Sequence, residues 1–226
     1  ATGTLKLSRN LTVGEIFDQV FKLNEESKKI HDRALTNIVF MGMGEPLLNY
    51  NSLLKAIEKI TSKNGMDISP RRITVSTAGL AKQIKKLADD NVKFNLAISL
   101  HSAKDKVRSE IMPINNSINL NDLKEAVSYF YEKTKNRVTY EYILFKNLND
   151  DLDSARILSD FCKVSPCKVN LIEYNKVDSL VFDKSTSKNT EKFIQFLISK
   201  NIIVNLRKSK GKDIDAACGQ LVNKLN

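Results

Sequence analysis

The sequence predicts an α/β fold built on a parallel sheet. Three observations carry this. Six short runs are apolar or rich in β-branched residues. Stretches of helical periodicity separate them, and one more precedes the first. Regular alternation of this kind requires βαβ crossovers, which are made by parallel strands. A full or partial barrel and an open doubly wound sheet both fit. The absence of a Gly-x-Gly-x-x-Gly turn after the first strand counts against a dinucleotide-binding version.

The elements follow in order. Thr12-Val13-Gly14-Glu15 has capping-box spacing, and Val13, Ile16, Phe17, Val20 and Leu23 recur at helical period. Ile38 to Met41 is a short all-apolar run, the mark of a buried strand. Leu53, Leu54, Ile57 and Ile60 form one helical stripe, and Ile73 to Ser76 is a β-branched strand. Leu80, Ile84, Leu87 and Ala88 are helical, then Phe94 to Ile98 is strand. Leu123, Ala126, Val127 and Phe130 are helical, then Val138 to Leu144 is strand. Leu152, Ala155, Leu158 and Phe161 are helical, then Val169 to Ile172 is strand. Phe193, Ile194 and Leu197 precede the last strand, Ile202 to Leu206. Asp178 to Asn189 reads as the one long polar loop.

Composition bounds the function. The chain has 226 residues, 42% apolar and 27% charged, which excludes a disordered chain or a disulfide scaffold. The net charge of +10 suits a polyanionic partner. No run is long and apolar enough to span a membrane or serve as a signal peptide. The expectation is a cytoplasmic protein with reduced thiols and no membrane partner.

In parallel barrels, working residues sit just past the C-terminal strand ends. The first strand is followed by Gly42-Met43-Gly44-Glu45-Pro46, two glycines and a carboxylate that suits an amine. Ser76-Thr77-Ala78-Gly79 follows the second, Ser99-Leu100-His101 the third, and Glu173-Tyr174-Asn175 the fifth. Four polar clusters at strand mouths favour a ligand site over plain turns or a structural histidine. Its ligand would carry amine, carboxylate and hydroxyl groups. Beyond the last strand lies a basic run, Arg207 to Lys212, that suits a solvated face or backbone phosphates. Then comes Cys218, between Ala217 and Gly219. Nearby cations lower a thiol pKa, so Cys218 is a candidate nucleophile as well as an inert thiol. Cys162 and Cys167 read as structural, and no metal-ligand spacing is present.

Four motifs occur together: Gly-Met-Gly-Glu-Pro-Leu-Leu-Asn at 42–49, Ser-Thr-Ala-Gly at 76–79, Ser-Leu-His at 99–101, and Asp-Ile-Asp-Ala-Ala-Cys-Gly-Gln-Leu at 213–221. With Met112 to Asn115 and Val169 to Ile172, they make the chain resemble the radical S-adenosylmethionine enzymes that methylate C2 of adenine in 23S ribosomal RNA and transfer RNA. The resemblance covers nearly the whole chain, and the last motif is the most specific. A related C8-adenine ribosomal RNA methyltransferase family is less similar at Pro46 to Asn49.

The resemblance implies site residues. Gly44 and Glu45 would bind the amino end of S-adenosylmethionine. Ser76, Ser99, Leu100 and His101 would line the cofactor, Asn175 would contact its adenosine, and Cys218 would carry the methyl group. The partners implied are 23S ribosomal RNA, transfer RNA and an electron donor such as flavodoxin, acting on a monomer. The family also holds a 4Fe-4S cluster with Cys-x3-Cys-x2-Cys. That motif is absent here, and Lys6 and Lys176 depart from residues common in the family. The expectation is therefore a C-terminal fragment: residues 1–226 form a radical SAM core, a TIM-like partial barrel lacking its first strand. On this expectation the accessory N-terminal domain would be absent, and the chain alone would bind no cluster and be inactive. The alternative from another class is a cluster-less RNA-binding module.

Overall fold

The structure is a computed structural model, and it describes residues 8–41, 44–175 and 181–207. Six strands form one sheet: β1 (Ile38–Phe40), β2 (Ile73–Thr77), β3 (Asn95–Ser99), β4 (Val138–Leu144), β5 (Cys167–Glu173) and β6 (Ile203–Arg207). Their spatial order is β1-β2-β3-β4-β5-β6 and every pairing is parallel. A doubly wound sheet reverses strand order at a switch point. This sheet has no reversal, so it has the topology of a (β/α) barrel, left open between β1 and β6.

Helix α1 (Val13–His31) precedes the sheet, and the crossovers are made by α2 (Tyr50–Thr61), α3 (Ala81–Asp89), α4 (Asp105–Ile111), α5 (Leu120–Thr134), α6 (Leu152–Phe161) and α7 (Ser187–Ser199). The Thr12 box forms as the sequence predicts. The Thr12 hydroxyl accepts from the Glu15 N–H, and the Glu15 carboxylate accepts from the Thr12 N–H at 2.8 Å. Arg9 adds a two-pronged contact to the same carboxylate at 2.6 and 2.8 Å. Helix α5 starts with a second box, Asn119 with Asp122.

The core lies between the sheet and these helices. Ile73, Val75, Leu96, Ile98, Val138, Tyr140, Val169 and Leu171 are fully buried on the strands. Ile84, Leu87, Leu123, Val127, Phe130, Leu158, Phe193 and Leu197 meet them from the helices. Helix α3 packs on α5, α1 on α2, and α6 on α7.

Three details differ from the sequence reading. The polar loop is shorter, because Ser187 to Asn189 form the first turn of α7 under a Thr186 cap. Cys167 opens β5 instead of preceding it. Between β3 and α5 stands α4 with a 3-10 turn, Pro113–Asn116, where periodicity gave no helix. Helix α4 is one of the short elements that a periodicity argument misses, and its one buried residue is a charged Arg108.

Candidate functional site at the C-terminal mouth of the sheet

Parallel register brings the C-terminal ends of the strands to one edge. Thr77 lies beside Ile98, Ser99 beside Glu141, and Leu144 beside Glu173. Gly44, Glu45, Ser76, Ser99, Leu100, His101 and Asn175 therefore gather at one end of the sheet. Gly42 and Met43 lie outside the described residues, as does Cys218 with the whole of 208–226.

Glu45 spans two loops. One carboxylate oxygen accepts from the Leu47 N–H at 3.0 Å, which caps the 3-10 turn Pro46–Asn49. The other accepts from the Ala78 N–H at 2.7 Å. Burial raises the Glu45 pKa above the usual carboxylate range, and these N–H groups partly offset that. An incoming ammonium would lower it again. Gly44 precedes it with φ of +142°, a backbone region that favours glycine, and a Cβ there would meet nothing within 4 Å. The glycine is therefore required by its backbone conformation, not by crowding.

Ser76 is buried near the end of β2, and the Thr77 hydroxyl accepts from the Gly79 N–H at 3.1 Å. Leu100 is fully buried, and its N–H and that of His101 both reach the Glu141 carbonyl, at 3.0 and 3.2 Å. His101 has φ of +54°, unusual outside glycine, asparagine and aspartate. Its Nδ1 accepts from the Ile143 N–H at 3.2 Å, so the neutral ring carries its proton on Nε2. Desolvation first, then the nearby Arg108 cation, lower its pKa to about 4. At neutral pH the ring is an uncharged Nε2–H donor. Asn175 is buried, and its Oδ1 has no hydrogen-bond partner among the described residues. Such an orphan acceptor at a strand mouth is what a ligand donor would satisfy.

The sequence reading passed over three residues that build this mouth. Asn149, fully buried after β4, donates to the carbonyls of His101 (2.7 Å) and Ile143 (2.8 Å) and accepts from the Phe145 N–H. It ties the β3 loop to the β4 loop. Its signal is the set of turn-forming residues Asn147, Asn149 and Asp150 shortly after a strand. Glu141, also buried, accepts from Asn170 at 2.7 Å and from Arg207 at 3.3 Å. Arg108 donates to the carbonyls of Leu100 and Ala78.

The sequence pattern of the Radical SAM superfamily matches residues 8–156. The chain belongs to the Radical SAM superfamily. Within this superfamily it is 53% identical over 224 residues to the probable dual-specificity RNA methyltransferase RlmN of Flavobacterium johnsoniae, covering 99% of this chain and 64% of that protein. It is 55% identical over 224 residues to the protein of the same name in Christiangramia forsetii, again 99% of this chain and 64% of that protein. A crystal structure of a radical SAM methyltransferase from Sphaerobacter thermophilus superposes with a TM-score of 0.92 at 38% identity, over 96% of this chain and 64% of that one. The chain thus spans just under two thirds of the length of these relatives.

Two groups of the superfamily can be tested against the residues present. S-adenosylmethionine fits the mouth: Glu45 offers a carboxylate, a Cβ on Gly44 would meet open space, and Asn175 presents an acceptor with no partner among the described residues. The iron–sulfur cluster fits no residues of this chain. Cys162, Cys167 and Cys218 lack the Cys-x3-Cys-x2-Cys spacing. Among the described residues no three His, Cys, Asp or Glu side chains could hold a metal. No helix among them is long and apolar enough to cross a membrane.

Proposed function

We propose that this chain is the S-adenosylmethionine-binding core of an RNA methyltransferase that modifies C2 of adenine in 23S ribosomal RNA and transfer RNA. One observation carries the reading. The residues expected to hold S-adenosylmethionine converge at one strand mouth, in a chain more than half identical to proteins named dual-specificity RNA methyltransferases.

When bound, S-adenosylmethionine would supply the methyl group; the protein's part is geometry and electrostatics. Glu45 receives the ammonium of the amino-acid end, with the open space at Gly44 beside it. The Ser76, Ser99 and Leu100 backbone and the neutral His101 line the middle, with His101 offering Nε2–H. Asn175 takes a donor of the adenosine end on its Oδ1, which has no partner among the described residues. Cys218 carries the methyl group on its sulfur. The net charge of +10 suits the RNA substrate.

The test uses active full-length enzyme purified from cells. A peptide containing Cys218 is expected to be heavier by one methylene, and Cys218→Ala is expected to abolish adenine methylation while S-adenosylmethionine still binds. An unmodified Cys218 peptide from active enzyme sinks the carrier role.

A further inference from the structure

We infer that Arg108 is a positioning residue that locks the loops after β2 and β3 into one unit, and with them the carboxylate of Glu45. The inference rests on the proposed binding of S-adenosylmethionine at this mouth. It assigns a role to a residue that meets the expected ligand-lining residues Ser99 and Leu100 only at their backbone carbonyls.

Arg108 is 1% exposed, among the most buried side chains of the molecule. Among the described residues it forms no ion pair with a carboxylate. Asp105 acts on it electrostatically but is joined to it only through Asn115. Burying a cation without a direct ion pair is costly, and an apolar side chain would fill the same space more cheaply. The guanidinium must therefore do something that packing cannot. Its donors are spent on three backbone carbonyls and one side-chain amide oxygen. Nη2 donates to the Ala78 carbonyl at 2.8 Å and the Ser99 carbonyl at 3.4 Å. Nε donates to the Leu100 carbonyl at 3.2 Å, and Nη1 to the Asn115 Oδ1 at 2.7 Å. Ala78 belongs to the loop after β2; Ser99 and Leu100 belong to the mouth of β3. One rigid fork spans both, which the single ammonium of a lysine cannot do.

The clamp is anchored away from the mouth. Asn115 donates to the Asp105 carbonyl and carboxylate and to the Ser109 hydroxyl, at 2.8 to 3.2 Å. The Asp105 carboxylate also accepts from the Leu120 N–H at 3.1 Å, where α5 begins. At the other end Ala78 is held on both sides. Its carbonyl takes Arg108, and its N–H donates to Glu45 at 2.7 Å. A continuous path therefore runs from α5 through Asp105, Asn115, Arg108 and Ala78 to Glu45. Gly79 makes room for it, since a Cβ there would stand 3.3 Å from Nη2.

The test uses the full-length holoenzyme and the variants Arg108→Lys, Arg108→Gln and Asn115→Ala. Three readouts are taken: the S-adenosylmethionine dissociation constant, the split between KM and kcat, and hydrogen exchange of amides 76–80 and 99–102 against amides 138–144. Arg108→Lys is expected to weaken S-adenosylmethionine binding by tenfold or more, as an order of magnitude for lost charged hydrogen bonds. KM should rise more than kcat falls. Exchange should quicken in the two loops and not in β4, and Asn115→Ala should move the same quantities less. Wild-type affinity and loop protection in Arg108→Lys overturn the clamp. So does uniform loss of protection in all three variants, which marks a residue of the fold alone. If the wild-type holoenzyme itself fails to bind S-adenosylmethionine, the proposed function falls, and loop exchange still reports on the clamp.

Discussion

His101 combines three features that a sequence cannot display together: a left-handed backbone, an Nδ1 committed to the Ile143 N–H, and a pKa lowered to about 4. The sign of its effect on stability follows. The unfolded side chain titrates near 6.5, so between there and about 4 the unfolded state binds the extra proton. The contribution is complete above that window and is lost as pH falls through it. Glu45, whose pKa burial raises, acts in the opposite sense, so a variant must isolate His101. Asparagine tolerates the left-handed region and offers an acceptor for the Ile143 N–H. His101→Asn should therefore flatten the fall in unfolding free energy between pH 6.5 and 4.5, measured by urea titration. An unchanged slope would falsify the neutral-histidine assignment. Gly79 gives a second residue-level expectation. Its φ is +108°, and a Cβ would press on Arg108 and on Leu123, both at 3.3 Å. Gly79→Ala should destabilise the protein by about 1–3 kcal/mol, from backbone strain, read as a lowered denaturant midpoint. Gly44→Ala shares the strain but meets no crowding, so its cost should fall mainly on S-adenosylmethionine binding.

At the scale of elements, the sequence was legible where an element obeys one period for several turns. All six strands and six of the seven helices follow from apolar runs and helical periodicity, and β2 to β5 and the helices bury the stripe that fixes them. The expectation of a buried first strand holds only for Ile38, since Val39 and Met41 are exposed, and β6 is largely exposed as well. The missed helix, α4, has seven residues and presents Arg108 inward. A charged side chain at a buried position reads as surface in any pattern argument, and only the carbonyls of two distant loops explain it. Asn149 was hidden for a related reason: its partners come from β3 and β4, far apart in sequence. The mouth clusters themselves were visible because barrel topology assigns strand ends a place before any side chain is known. Capping offers a check on this element-level logic. Asn119 accepts from the N–H groups of Asn121 (2.8 Å) and Asp122 (3.1 Å), and the Asp122 carboxylate accepts from the Asn119 N–H. Asn119→Ala should cost about 1 kcal/mol of stability by calorimetry or denaturant titration. A loss below a few tenths would mean that α5 is held by packing alone.

At the scale of the whole molecule, the excess charge is not spread evenly over the proposed function. Arg71 and Arg72 precede β2 and so lie at the opposite end of the sheet from the mouth. On α3, Lys85 pairs with Glu125 at 3.6 Å and Lys86 lies over the Tyr50 ring at 4.2 Å, so part of that charge is already engaged locally. Arg207 ends β6 on the mouth side and pairs with the buried Glu141. In sequence Lys208, Lys210 and Lys212 follow it, between that strand and Cys218. Chain connectivity thus starts the basic run at the mouth. Charge that neutralises phosphates releases counter-ions, so each contact adds to the salt dependence of binding, with a slope of about −0.7 per contact for single strands. Replacing Lys208, Lys210 and Lys212 by glutamine should weaken RNA binding by full-length enzyme and make the plot of log affinity against log salt shallower. Replacing Arg71 and Arg72 should leave that slope unchanged. The opposite pattern, a slope that responds to Arg71 and Arg72 alone, would place RNA at the far end of the sheet and separate it from the S-adenosylmethionine mouth.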